Sequence, residues 1–173
     1  MVTRQAARLF LAVVVILVMA GNFAAESFAA EKTKTSELSR ALEQAKLFAG
    51  LTDNERAALK AAATLRHAQE GDRIIEQGKA SDKMFIILEG QAEVKVSGKL
   101  VATLPTQSLV GEVEFLDALP ASADVIVLKR SLLIELNNAA LTSLMKKRPR
   151  LGYMLMSKIA GIEARRLRAM NLK

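Results

Sequence analysis

The residue types best suited to chemistry gather between Gly111 and Val125, a stretch that reads Gly-Glu-Val-Glu-Phe-Leu-Asp-Ala-Leu-Pro-Ala-Ser-Ala-Asp-Val. A glycine stands beside a carboxylate, Glu112, and Val113 begins a short apolar turn. Pro120 then precedes three small residues, Ala121, Ser122 and Ala123. Small side chains let the backbone approach a ligand closely, and N–H groups presented in this way suit a small anion. Glu112 and Glu114 would share a face of a regular strand, but these two carboxylates do not by themselves define an acid–base pair. Plainer roles fit the same residues: a surface carboxylate at a strand end, a turn-forming serine, and small residues where a sheet closes. Elsewhere the chain has one histidine, His67, and no cysteine. It has no Gly-x-Ser-x-Gly, no Walker loop and no cluster of metal-ligand residues. Thiolate metal sites, disulfides and a cysteine nucleophile are excluded. The expectation is a protein without catalysis, metal or cofactor.

The elements around this stretch are helices, then strands, then helices. Ser36 to Leu47 carries Leu38, Leu42 and Ala45 at helical spacing, after a polar spacer over Ala30–Thr35. Thr52 and Glu55 read as a capping box opening a helix over about Asp53 to Arg66, with His67 solvated at its end. Beyond Gly71 the period changes to that of strands. Arg73–Glu76, Met84–Leu88, Ala92–Val96, Leu100–Leu104, Val125–Leu128 and Leu132–Leu136 are the predicted strands. Glu89-Gly90 is a predicted turn and Ser97-Gly98 a two-residue hairpin. Short strands with glycine turns indicate a jelly roll or small antiparallel barrel. Asn138 is the expected cap of a helix through Lys147. Pro149 suits the first turn of a final helix, over about 150–170. Its apolar stripe is Leu151, Leu155, Ile159 and Ile162, and Arg166 falls where that stripe should continue.

At 173 residues the chain has room for one domain, and its net charge of +7 is unevenly spread. From Lys146 to Lys173 there are nine Lys/Arg and one acid, whereas from Ala30 to Met145 there are 14 Lys/Arg and 16 Asp/Glu. The basic character belongs to the last helix, so a nucleic-acid-binding face is not expected. Arg4 and Arg8 precede an apolar run from Leu9 to Ala20, followed by small residues. That is the order of a secretory signal peptide over residues 1–29, with cleavage after Ala29 or Ala20. An uncleaved anchor is the alternative. In both cases the domain is expected across the membrane, in the periplasm.

Several segments together resemble the cyclic nucleotide-binding domain superfamily, the fold of the catabolite activator protein and of kinase regulatory subunits. They are Leu47-Phe48-Ala49-Gly50-Leu51, Glu70 to Gly78, Met84 to Gly90, Gly111-Glu112, and Pro120 to Val125. The resemblance runs from about Ala45 to Arg168. It implies a mainly β, double-stranded β-helix or jelly roll flanked by helices, over 36–173. It also implies that Gly111 to Val125 is a phosphate-binding cassette. Glu112 would accept a hydrogen bond from a ribose hydroxyl, Gly111 would admit the sugar, and the N–H groups of Ser122 and Ala123 with the Ser122 hydroxyl would hold a cyclic phosphate. Two positions depart from the pattern. Ala121 stands where the family has the arginine that pairs with the phosphate, and Gln107 stands where a glycine is common. No neighbouring residue is expected to replace the guanidinium, because Lys129 and Arg130 lie beyond a strand.

Two functions follow as expectations. One is an exported regulatory module that binds a small ligand, a cyclic nucleotide or a related molecule, at Gly111, Glu112, Val113, Ala121, Ser122 and Ala123. The other is a scaffold without nucleotide binding that acts through its basic last helix on a protein partner, an anionic membrane surface or a second copy of itself. The usual DNA-binding extension of the family's transcription regulators has no counterpart before Lys173.

Overall fold

The computed structural model describes residues 31–171. The predicted export segment lies outside these residues. Among them, no helix is long and apolar enough to cross a membrane. The chain divides into two units, the first ending at Glu37 and the second spanning Leu38–Lys173. In the first unit the described residues 31–37 are helical, where a polar spacer was expected over Ala30–Thr35. All that follows concerns the second unit.

This unit opens with helix α1, over residues 38–44, and a single 3-10 turn at Lys46–Phe48. Helix α2 is Asp53–Leu59, started by the expected capping box: Thr52 accepts from the Glu55 N–H, and the Glu55 carboxylate accepts from the Thr52 N–H. The predicted extension of α2 to Arg66 is not found. The chain leaves the helix at Lys60, and Ala63–Ala68 becomes strand β1, paired antiparallel with β6. Pairing along six residues overrides the helix preference of an alanine-rich run. His67 is therefore an exposed strand residue opposite Leu132, not a helix C-terminus.

The β body is built on two long strands, β3 (Lys83–Val96) and β6 (Asp124–Asn137), each of 14 residues and antiparallel to the other. The sequence suggested two short strands in place of each. The difference comes from Gly90, which bends the strand instead of ending it. The β3–β6 register shifts between Ile87 and Ala92. There Gly90 has φ +99° and lies so close to β6 that a Cβ would stand 2.0 Å from Ser131 Oγ. This is a bulge at a close approach, where only glycine fits. Along one half, the long pair is flanked by β1 on β6 and β5 (Leu109–Val110) on β3. Along the other half it is flanked by β2 (Arg73–Ile75) on β6 and β4 (Lys99–Leu104) on β3. The ribbon thus folds into a roll. The β3–β4 hairpin turns through Ser97 and Gly98, both with positive φ (+50° and +76°), as a two-residue turn of this hand requires.

Alternation along β3 supplies two cores. Phe85 and Ile87 point into the roll with Ile75, Val110, Ala121 and Val125. Met84, Ile86 and Leu88 point outward against the helices, among Leu42, Phe48, Leu141 and Leu155. Burial on both faces explains why Met84 to Leu88 is an unbroken apolar run. Helix α4 (Asn138–Lys147) is capped by Asn137, one residue before the expected cap, whose side chain accepts from the Ala140 N–H. Helix α5 (Pro149–Met170) starts with Pro149, as predicted, and buries Leu151, Leu155 and Ile159.

Candidate functional site

Between β5 and β6 the chain makes a six-residue helix, α3 (Glu112–Asp117), where an apolar turn was expected. Gly111 opens it with φ +83°, and a Cβ there would meet the Lys83 carbonyl at 2.7 Å. Ala118 closes it in the left-handed region. Glu112 and Glu114 are therefore on a helix, not on one face of a strand. Glu114 accepts a hydrogen bond from the Ser81 N–H through one oxygen, and its Oε2 is buried without a partner among the described residues. The following loop is pinned to the turn after β2: the Ala121 N–H donates to Lys79 O (3.0 Å), and Ala121 O accepts from the Gly78 N–H (2.8 Å). Ala121 is buried in the roll. Among the described residues, no backbone acceptor is engaged by the N–H of Ser122 or Ala123.

The six residues singled out from the sequence all line one cavity of about 940 Å³. Its walls are apolar: Val94, Val96, Val101 and Leu104 from the β3–β4 hairpin, and Leu167 and Met170 from the end of α5. Val96, Val101, Leu167 and Met170 are exposed and form its rim. Ala121, in the place where the resemblance puts an arginine, adds a methyl group to the wall.

A cation does reach this site from another element. Arg166, on the last turns of α5, reaches into the roll and pairs with Glu112. The same Nη1 donates to Glu163 at 2.9 Å, and Nη2 donates to the Leu109 carbonyl at 2.5 Å. Arg166 is thus a guanidinium beside the cassette residues that the sequence did not place there, although its donors are spent on protein acceptors, and the picture of Glu112 as a surface carboxylate is corrected. Glu112 is only 3% exposed. Burial pushes its carboxyl up to about 7, against the opposing pull of the Arg166 charge. Its Oε2 has no hydrogen-bond partner among the described residues. The sequence held one signal for Arg166: a cation at the position after Ile162 where the apolar stripe of α5 should have continued.

Gln107, the other departure, takes a left-handed backbone at φ +68° without being glycine. Its side chain offsets part of that strain by accepting from the Lys46 N–H at 2.9 Å. Three further cations of the basic segment are engaged with their own domain. Arg150 pairs with Glu55, Arg148 donates to Asn54 O (3.4 Å), and Lys158 donates to Lys46 O (3.3 Å). Among the described residues no group of His, Cys, Asp and Glu side chains is arranged to hold a metal ion.

With this geometry in view, a family model described as the cyclic nucleotide-binding domain matches residues 65–148. The chain is similar to the Pycsar effector protein XpPycTIR of Xanthomonas perforans, 32% identical over 114 residues, covering 65% of this chain and 36% of that protein. It is similar to glutaminase 2 of Bradyrhizobium diazoefficiens, 33% identical over 128 residues, covering 73% of this chain and 20% of that protein. The chain thus spans about a third and a fifth of these curated relatives. A cyclic nucleotide-binding domain from Methylobacillus flagellatus shares the fold, with a TM-score of 0.66 at 21% identity over 78% of this chain and 79% of that one.

Proposed function

Residues 65–148 belong to the cyclic nucleotide-binding domain family, and from that premise we propose that the chain is a regulatory module without catalysis, one that takes a small ligand in the cavity between the β-roll and the end of α5. The observation that carries this reading is the convergence of Gly111, Glu112, Ala121, Ser122 and Ala123 on one cavity closed by α5. A ligand seated there touches Glu112 and so bears on Arg166, which ties the last turns of α5 to the roll. Occupancy is read out as a change in how firmly that helix end is held. The basic, signal-like N-terminus supports export and a periplasmic setting as part of the proposal.

A thermal-stability screen tests it. Full-length protein is heated with a panel of cyclic nucleotides and the corresponding nucleosides, beside Ala102→Trp, which fills the cavity from β4. At least one compound is expected to raise the midpoint of the wild type and not of the variant. If nothing in the panel or among small uncharged aromatics does so, the ligand reading falls. Ala121 supports a second reading, a scaffold that has kept the fold without the ligand. The internal engagement of Arg148, Arg150, Lys158 and Arg166 leaves less of the basic helix for a membrane surface than the sequence suggested.

A further inference from the structure

We propose that the cavity is built for an uncharged, largely apolar molecule that brings one hydrogen-bonding group, a hydroxyl or an amine, to Glu112, and that it discriminates against phosphate-bearing ligands. The inference rests on the reading above and names the ligand class of the same site.

Three independent features point there. The first is charge. Three carboxylates line the cavity, Glu112, Glu114 and Glu163, against one guanidinium, Arg166. With all four ionised that is −2, and with Glu112 protonated it is −1, so a ligand anion adds to a site that is already negative. The guanidinium is not free to meet it, since its two amino groups are committed to Glu112, Glu163 and the Leu109 carbonyl. Moving it onto a phosphate would strand Glu112 in the interior. The second feature is an orphaned oxygen. Glu112 lines the cavity, and its Oε2 is buried with no hydrogen-bond partner among the described residues. Ionised, this oxygen calls for a donor, and protonated it offers a proton to an acceptor; nothing in the described protein supplies either, and a hydroxyl or amine on a ligand can. The third is the wall. Apart from the carboxylates, Arg166 and Ser122, the lining is aliphatic, and Ala121 has put a methyl group where a cation would have greeted a phosphate. Cavities of this size with apolar walls and one or two polar groups are suited to compact amphipathic molecules.

A matched pair of fluorescent probes isolates the charge. N-phenyl-1-naphthylamine is uncharged, apolar and carries one N–H donor. Its 8-sulfonate differs by a single anionic group. Both are titrated into full-length wild type and into Ala102→Trp, with Val101→Trp as the obstruction at an exposed rim position should the first variant not fold. The signal counted is the part lost on obstruction. The expected result is saturable binding of the amine, with the sulfonate weaker by at least about tenfold, the scale of one charge-assisted contact. Glu112→Ala should weaken the amine, and Ala121→Arg should narrow the gap between the two probes. Equal, obstruction-sensitive binding of both probes overturns the ligand class and leaves the cavity as a ligand site. So does a cyclic nucleotide that binds the wild type more tightly than the amine. If no probe and no nucleotide shows an obstruction-sensitive signal, the ligand reading itself has failed.

Discussion

Replacing Glu112 by glutamine converts the buried carboxyl into a permanent mimic of its neutral form. The carboxyl is raised from an ordinary 4.5 to about 7 because burial strips it of water, and Arg166 offsets only part of that cost. The folded state therefore holds a proton that the unfolded chain has released throughout the window from 4.5 to about 7. Stability falls as pH rises through that window, since the slope follows the protons bound by the unfolded state minus those bound by the native one. Each unit corresponds to about 1.4 kcal/mol, so the full displacement is worth about 3 kcal/mol. Between about pH 5 and about pH 8 the expected portion is about 2–3 kcal/mol. The assay is urea unfolding of full-length wild type and Glu112→Gln at intervals across that range. Groups common to both proteins cancel in the difference. The wild type should lose about 2–3 kcal/mol relative to the variant from the acid to the alkaline end. A difference that stays constant with pH would refute the reasoning, because it would mean that Glu112 keeps an ordinary carboxylate's affinity for protons and is not desolvated in the fold.

Other perturbations have defined outcomes. Arg166→Met removes the ties from α5 to Glu112, Glu163 and Leu109 O, and amide hydrogen exchange over 163–170 should accelerate while that over β3 does not. Gly90→Ala puts a Cβ 2.0 Å from Ser131 Oγ and 2.8 Å from its Cα, at φ +99°, and should cost more than about 2 kcal/mol in urea unfolding. Arg150 holds the Glu55 carboxyl down at about 2, helped by the Thr52 N–H. That contribution is present above 4.5 and lost as pH falls toward about 2. Arg150→Ala should therefore move the acid-unfolding midpoint, followed by circular dichroism, to higher pH.

The class of the fold was legible because the roll's two faces impose a period of two and its turns need glycine. The capping box at Thr52 and the hairpin at Ser97-Gly98 are local, and both are found where the sequence puts them. What was not legible depended on partners far away in the chain. Gly90 looks like a strand end until Ser131 is seen against it. Ala63–Ala68 looks helical until β6 offers it a ladder. In the site, the six residues could be named because the resemblance picks them out of one short stretch, Gly111 to Ala123. Arg166 could not be assigned, since its partner Glu112 lies 54 positions earlier. The burial that raises Glu112 exists only in the folded chain. A cation interrupting an apolar helix stripe is therefore worth reading as a residue aimed at a buried carboxylate.

On the proposed reading, Gly111 to Ala123 keeps the shape of a ligand-binding loop, and Ala121 withholds the charge that the resemblance assigns to phosphate pairing. The most direct test is calorimetric titration of the full-length wild type and Ala121→Arg with cyclic AMP. The restored guanidinium should supply about 1.5–3 kcal/mol, which is roughly 10- to 150-fold in affinity, and give measurable binding where the wild type has little. Wild-type binding as tight as that of the variant would contradict the account, and so would no binding by either, because the loop at Ala121–Ala123 would then not be a working cassette.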